Sequence, residues 1–273
     1  MHIEVIPTVN EARADDLLHK TVIAIDVLRA TSTMLAALAS GCRSIVPVET
    51  VNQALTLQQE GELLAGERFC KRIPGFQLGN SPLEFTPDAV GGKTVIMTTT
   101  NGTRAIQKSQ KAAHVLIGGL LNAEACAREA ARLSHEIVIV CAGTQDVFAL
   151  EDGLCAGLLV EELMKRHECG QVRGMMGTAA GIGGGTAVGI GAGTSAASDR
   201  HRLHVNDMGL AMLETYRSVK GQVLDALLRS SNGARLSRIG YHNDVVFCAR
   251  TNVFDFAPEV KNGRIEAVVT QLQ

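Results

Sequence analysis

Short apolar, β-branched runs recur along the first half of this chain, at His2 to Pro7, Thr21 to Asp26, Ser44 to Val48, Glu62 to Ala65, Thr94 to Thr99, His114 to Ile117 and Glu136 to Ala142. Between most of them lie stretches with helical apolar spacing: Thr31 to Ala39, Val51 to Gln59, Gly102 to Lys111, Asn122 to Leu133 and Ala149 to His167. That alternation restricts the fold more than any other feature. Parallel strands cannot be joined by tight turns and need crossover segments, which helices supply on the faces of the sheet. The expected fold is a three-layer α/β/α arrangement with a mostly parallel mixed sheet. In such sheets ligands bind beyond the carboxyl ends of strands, where Asp26, Arg29, Glu67, Arg68, Asn101 and Arg104 fall.

The ends of three strands share one chemical form. Thr98-Thr99-Thr100-Asn101-Gly102-Thr103-Arg104 follows a strand and opens a helix. Its hydroxyls and backbone N–H groups can donate to an anion, Gly102 allows close backbone approach, and Arg104 adds charge. Asp26-Val27-Leu28-Arg29 places one carboxylate and one guanidinium before the helix start Ala30-Thr31-Ser32-Thr33. Gly66-Glu67-Arg68 ends a third strand, and the turn-rich loop Gly75 to Glu84 offers Asn80, Ser81 and Glu84. A phosphate or similar group is the natural guest.

Residues 170 to 198 interrupt the pattern with Gly, Ala, Ser and Thr, and read as a flexible low-complexity insert between an α/β phosphate-site region (1 to 169) and a C-terminal part (199 to 273) that completes the fold. Gly191-x-Gly193-x-x-Ala196 within it formally fits a dinucleotide fingerprint, yet no strand precedes it, so it does not indicate a cofactor. The C-terminal part predicts helices over Asp207 to Tyr216 and Ser218 to Arg229, a further helix starting at Ser231-Asn232-Gly233-Ala234-Arg235-Leu236, and strands over Asp244 to Ala249, Val253 to Phe256 and Arg264 to Val269.

With 273 residues and 46% apolar content the chain can bury a full core. A net charge of −2, with Lys and Arg scattered, argues against a nucleic-acid partner. No apolar run approaches a membrane span. The cysteines Cys42, Cys70, Cys126, Cys141, Cys155, Cys169 and Cys248 stand singly, without a Cys-x-x-Cys pair or a secretory leader, as expected of a reduced cytoplasmic protein using them as small buried hydrophobes.

Several familiar chemistries are excluded by detail. The residue two beyond Asp26 is Leu28, so the Asp-x-Asp pair of haloacid-dehalogenase phosphatases is missing. Cys126 and Arg132 match the Cys-x5-Arg count of a tyrosine-phosphatase loop, but the residues between them are helix formers rather than a phosphate cradle. Gly92-Lys93-Thr94 leads into a strand rather than a helix, unlike a nucleotide P-loop.

Taken in order, Asp26 to Thr33, Gly66-Glu67-Arg68, Gly79-Asn80-Ser81-Pro82-x-Glu84, Thr98 to Arg104 and Ala149-Leu150-Glu151-Asp152 resemble the 2-phosphosulfolactate phosphatase family. The resemblance spans residues 3 to 168 and resumes from Asp207 through Gly233-x-x-Leu236, Gly240, Asp244 and Cys248. It implies a Mg²⁺-dependent hydrolase releasing phosphate from 2-phospho-3-sulfolactate, a step of coenzyme M biosynthesis. Two features depart from the family pattern: the insert, and Asn232 where the resemblance leads to the expectation of a histidine.

Under that resemblance Asp26, Glu67 and Asp152 are the expected Mg²⁺ ligands, a hard cation held by carboxylates while positions stay open for water and substrate. Asp26, Arg29 and Arg104 form the expected catalytic group, and Arg68, Asn80, Ser81, Thr100, Asn101, Gly102 and Thr103 the expected substrate contacts. Attack by water is favoured over attack by Asp26 itself, because no second acid lies two residues on. The expected partner is a small anionic phosphoester, with a homo-oligomer left open. The alternatives are a phosphatase with a different natural substrate and a non-catalytic module that binds a phosphorylated metabolite.

Overall fold

Strands that are apolar at every position need cover on both faces, and the central strands of this protein are buried throughout. The computed structural model describes residues 1–179 and 202–267. In chain order the elements are β1 (His2–Ile6), β2 (Thr21–Ile25), α1 (Ala30–Ala39), β3 (Ser44–Pro47), α2 (Val51–Leu57), β4 (Leu63–Arg68), β5 (Lys71–Arg72), α3 (Pro87–Val90), β6 (Thr94–Thr98), α4 (Gly102–Lys108), β7 (His114–Gly118), α5 (Ala123–Leu133), β8 (Glu136–Cys141), α6 (Leu150–Ala179), β9 (His204–Val205), α7 (Asp207–Val219), α8 (Val223–Arg229), α9 (Ser231–Arg238), α10 (His242–Cys248), β10 (Pro258–Lys261) and β11 (Arg264–Ala267).

The strands form one mixed sheet in the order β5-β4-β6-β3-β11-β10-β7-β2-β8-β1-β9. Two parallel blocks, β4-β6-β3 and β7-β2-β8-β1-β9, are joined by the antiparallel hairpin β10-β11. Each seam of that hairpin rests on one pair in register, Ile265 opposite Ile45 and Glu259 opposite Leu116. Helices cover both faces, as the alternating pattern requires.

Period-2 alternation sorts the side chains. Ile23, Ile25, Ile137 and Ile139 join the core formed with α5, α6 and α7, while Val22, Val138 and Val140 point to the opposite face and pack with Leu17 and Ala105. Ala24 of β2 and Met97 of β6 lie far apart in strand order yet share a core with Ala30, Met34 and Ala37 of α1. The sheet therefore curls around α1, bringing the ends of β2 and β6 together. Residues Ala30 through Leu38 of α1 are all buried. A helix enclosed on every side needs small residues, which explains its run of Ala, Ser and Thr.

Helix ends follow local chemistry. Thr50 and Gln53 form a reciprocal capping box on α2, Asn206 accepts from the Gly209 N–H at the start of α7, and Ser230 accepts from the Gly233 N–H to start α9. Among the described residues no helix is long and apolar enough to cross a membrane.

The structure departs from the sequence expectation in the C-terminal part. Over the expected strand Asp244 to Ala249, residues 244–248 belong to helix α10 and Ala249 caps its end. The Val245-Val246-Phe247 run has strand propensity, but the helix buries Asp244, Val245 and Cys248 together on one face, and tertiary packing outweighs propensity. Residues 253–256 form no strand; Asn252 and Phe254 donate their backbone N–H groups to Leu120 and Leu121. The strand beyond them, β10, was not anticipated. The expected helix from Ser218 is divided between α7 and α8 at Gly221, whose φ of 91° suits glycine. Helix α6 continues through residues 170–179 of the expected insert; residues 180–198 lie outside the described residues.

Candidate active site

The curled sheet brings four segments to one cleft. Its walls include Asp26, Leu28 and Arg29 after β2, Glu67, Phe69 and Cys70 at the β4–β5 turn, Asn80, and Thr99, Thr100 and Asn101 after β6. Thr144 and Gln145 after β8 and Asn232, Arg235 and Leu236 of α9 complete it. A wider hollow of about 570 Å³ opens between β3, α2 and the β10–β11 turn, but its walls carry no pair of strand-end acids.

Asp26 is held from one side only. Its Oδ1 accepts the Ala30 N–H at 3.1 Å, while Oδ2 faces Gly102, where an added Cβ would stand 2.7 Å away. Glycine at position 102 is thus required by the close approach of the carboxylate. Burial, reinforced by the charges of Glu67 and Glu151 and opposed by the Ala30 N–H and Arg29, pushes the Asp26 carboxyl up to about 7.

Glu67 ties two walls together. Its Oε1 accepts from the N–H and hydroxyl of Thr100 at 3.0 and 2.8 Å, and its Oε2 accepts from the Cys70 N–H at 2.8 Å. Gly66 makes this possible, because a Cβ there would lie 2.2 Å from the Thr98 carbonyl oxygen.

Arg29 is buried and fixed. Its Nη1 donates to Asp244 Oδ2 at 2.6 Å, Ser81 donates to the other Asp244 oxygen at 2.8 Å, and the Tyr241 ring lies 4.2 Å from the guanidinium. The remaining guanidinium donors are available to the cleft. Asn80, also buried, has a side-chain oxygen with no hydrogen-bond partner. An unpaired polar atom in such a place points to a guest that supplies the missing interaction.

Of the residues expected from the sequence, the structure brings Asp26, Arg29, Glu67, Asn80, Thr100 and Asn101 to this cleft. Others support it from behind. Asp152 is buried and accepts from the Val27 and Gly143 N–H groups at 2.8 and 3.0 Å, so it fixes the backbone under Asp26 rather than facing the cleft. Burial and the neighbouring Asp26 and Glu151 charges raise its carboxyl well above the ordinary range. Thr103 exchanges hydrogen bonds with Thr99 to start α4, and Ser81 acts through Asp244. Arg68 donates to the Glu67 and Glu49 carbonyls and to Thr98 Oγ1.

Arg104 stands apart. Its side chain, 43% exposed, pairs with Asp146 at 2.8 Å and contacts Asn10, and it is not on the cleft wall. Among the described residues no group of three or more His, Cys, Asp or Glu side chains is arranged to hold a metal. Asn232 donates from its amide to Glu151 Oε1 at 2.7 Å, so the neutral side chain at this position bridges to an acid behind the cleft.

Sequence reading missed Arg235, Cys70 and the Thr144–Gln145 turn as wall residues, and missed Asp244 and Tyr241 as the setting of Arg29. A signal did exist for one of them: Asn232, Arg235 and Leu236, spaced by three and four after the Ser230 cap, lie on one helical face.

Residues 6–263 match the sequence profile described as 2-phosphosulpholactate phosphatase. A relative from Symbiobacterium thermophilum, named "Probable 2-phosphosulfolactate phosphatase", is 37% identical over 94% of this chain and 98% of its own. Proteins of the same name from Caldanaerobacter subterraneus and Thermotoga maritima are 36% and 35% identical, covering 96% and 89% of this chain and 97% and 90% of theirs.

Proposed function

The chain belongs to the 2-phosphosulfolactate phosphatase family, and from that premise we propose that the cleft hydrolyses 2-phospho-3-sulfolactate, or a closely related small phosphorylated acid, with Mg²⁺ as cofactor. One observation carries the reading: Asp26 and Glu67, two buried carboxylates from strands on opposite sides of the joining hairpin, share a cleft with a fixed guanidinium.

The donor set fits a Mg²⁺ ion with two protein carboxylates. Such an ion is commonly bound by one or two carboxylates, with water and substrate phosphate completing its shell. Asp26 and Glu67 supply those carboxylates, and the unpartnered Asn80 oxygen adds a neutral donor on the same wall. Burial, with added repulsion from Glu67 and Glu151, raises Asp26 to about 7, and a nearby divalent cation would offset both effects. Asp152, which lies behind the cleft wall rather than on it, is left out of this ligand set. When bound, Mg²⁺ supplies charge neutralisation at the phosphoryl oxygens and a position for water.

The protein's own groups perform the rest. Arg29, locked by Asp244 and the Tyr241 ring, presents its free donors to phosphoryl oxygens without having to reorganise, which is the condition under which such a charge lowers a barrier most. Thr100 and Asn101, at the start of α4, border the same space, with Thr100 held by Glu67. Burial of the acids places these interactions in a medium of lower polarity, which strengthens them.

The test measures phosphate release from 2-phospho-3-sulfolactate with and without Mg²⁺, alongside thermal unfolding. Turnover that needs Mg²⁺ and disappears in Asp26→Asn, with the melting temperature of that variant retained, is the expected result. Tight phosphoester binding without phosphate release at saturating Mg²⁺ would overturn catalysis in favour of a binding module.

A further inference from the structure

Two cationic side chains line the cleft, and they are set differently. Arg29 is buried and ion-paired to Asp244 at 2.6 Å. Arg235 is half-buried, and its guanidinium has no hydrogen-bond or ion-pair partner among the described residues. The helix that carries it is nonetheless well fixed. Helix α9 is capped by Ser230, and the adjacent Leu236 is buried in the core at 2% exposure. Asn232, one turn earlier on the same face, is hydrogen-bonded to Glu151. The charge of Arg235 reaches Cys70, placing it beside the β4–β5 turn.

An uncommitted guanidinium on a rigid helix, beside the apolar walls of Leu28, Phe69 and Leu236, suits an anion brought in by the guest. The phosphoryl group is already provided for by Asp26, Glu67 and Arg29. A substrate of the proposed class carries further acid groups, and the cleft wall offers no other cation for them among its described residues. We propose that Arg235 is the specificity residue of this site, taking the acid group of the substrate that is not hydrolysed. The assignment rests on the phosphatase reading and names the second contact which that reading requires. A planar fork matches two oxygens of a carboxylate or a sulfonate equally well.

The experiment compares the protein with Arg235→Gln and Arg235→Lys on three phosphoesters in Mg²⁺: 2-phospho-3-sulfolactate, phospholactate, which lacks the sulfonate, and phenyl phosphate, which lacks both further acids. The preference for phosphosulfolactate over phenyl phosphate, as a ratio of kcat/KM, is expected to fall about 10- to 100-fold in Arg235→Gln, the worth of one charge-assisted contact. The loss should appear mainly in KM, and Arg235→Lys should restore part of it. If phospholactate loses as much as the full substrate, Arg235 holds the carboxylate. If it loses nothing, the sulfonate is the group held, and either result supports the proposal. An unchanged ratio overturns it.

Calorimetric binding of sulfolactate separates this proposal from the phosphatase reading. Should the protein hydrolyse none of the esters, catalysis fails, yet weaker sulfolactate binding by Arg235→Gln would still support Arg235 as the anion contact. Equal binding by both proteins, or binding by neither, overturns it.

Discussion

Gly102→Ala sets two general expectations against each other. Alanine is favoured over glycine in a helix interior by up to about 1 kcal/mol, and Gly102 opens α4 with an ordinary negative φ. Propensity alone therefore expects stabilisation. The structure expects the reverse, because an added Cβ would stand 2.4 Å from Ala30 Cβ and 2.7 Å from Asp26 Oδ2. Comfortable carbon contacts lie at about 3.5–4.0 Å, so the start of α4 must retreat by roughly 1 Å or Asp26 must swing aside. Overpacking of this kind costs about 1–3 kcal/mol, leaving a net loss of up to roughly 2 kcal/mol after the helix gain. At about 2–4 °C per kcal/mol, the melting temperature should drop by up to roughly 8 °C. A reacting group displaced by about 1 Å can lose on the order of 100-fold in rate, so phosphate release should suffer more than stability. Circular dichroism melts and a Mg²⁺-dependent phosphate assay report the two effects. Adding Ala30→Gly removes the carbon–carbon clash but not the contact with the carboxylate. The double variant should regain melting temperature and remain slow. A Gly102→Ala protein that melts higher and turns over normally would refute the described packing of Asp26 on α4.

Three further perturbations have expected outcomes. Asp244→Asn leaves the buried Arg29 without its counter-charge and should cost about 3–5 kcal/mol in guanidinium unfolding, with turnover also reduced; an unchanged midpoint would show that the pair is not buried as described. Arg104→Ala removes an exposed pair and should change stability by no more than about 1 kcal/mol. Its turnover should fall less than about tenfold, and a loss of 100-fold or more would return Arg104 to the chemistry. Glu161, where burial is outweighed by hydrogen bonds from Lys220 and Lys165, has its carboxyl held below the usual 4.5. A carboxyl lowered on folding adds stability above its unfolded value that disappears as pH falls through the folded one. Glu161→Gln should therefore be less stable in urea at neutral pH and equal to the unmodified protein in strong acid; a difference independent of pH would assign the effect to packing.

The parallel blocks were legible in the sequence because their strands and crossover helices are local, each element announced by its own period and caps. The acid, guanidinium and amide at the ends of β2, β4 and β6 were legible for the same reason. What could not be read was which ends meet. That depends on the curl of the sheet around α1 and on a hairpin seated through single pairs at Ile45 and Leu116. The misread helix α10 follows from this: Asp244 finds Arg29 across 215 positions of sequence, and no local pattern marks such a contact. Asp152 and Arg104 have residue types suited to chemistry, and only their actual partners, two backbone amides and one surface acid, reveal where each one faces.

The seat of β10 and β11 between the two blocks also bears on how a nascent chain acquires its shape. Until residues 258–267 have left the ribosome, β3 and β7 each present an unpaired border, and the two blocks of earlier strands stay unjoined. Exposed borders of that kind invite pairing with other molecules, and closure across so long a stretch is slow. Truncation within this hairpin should yield aggregates rather than a smaller enzyme, so the synthesis of ten residues separates a sticky intermediate from a finished protein.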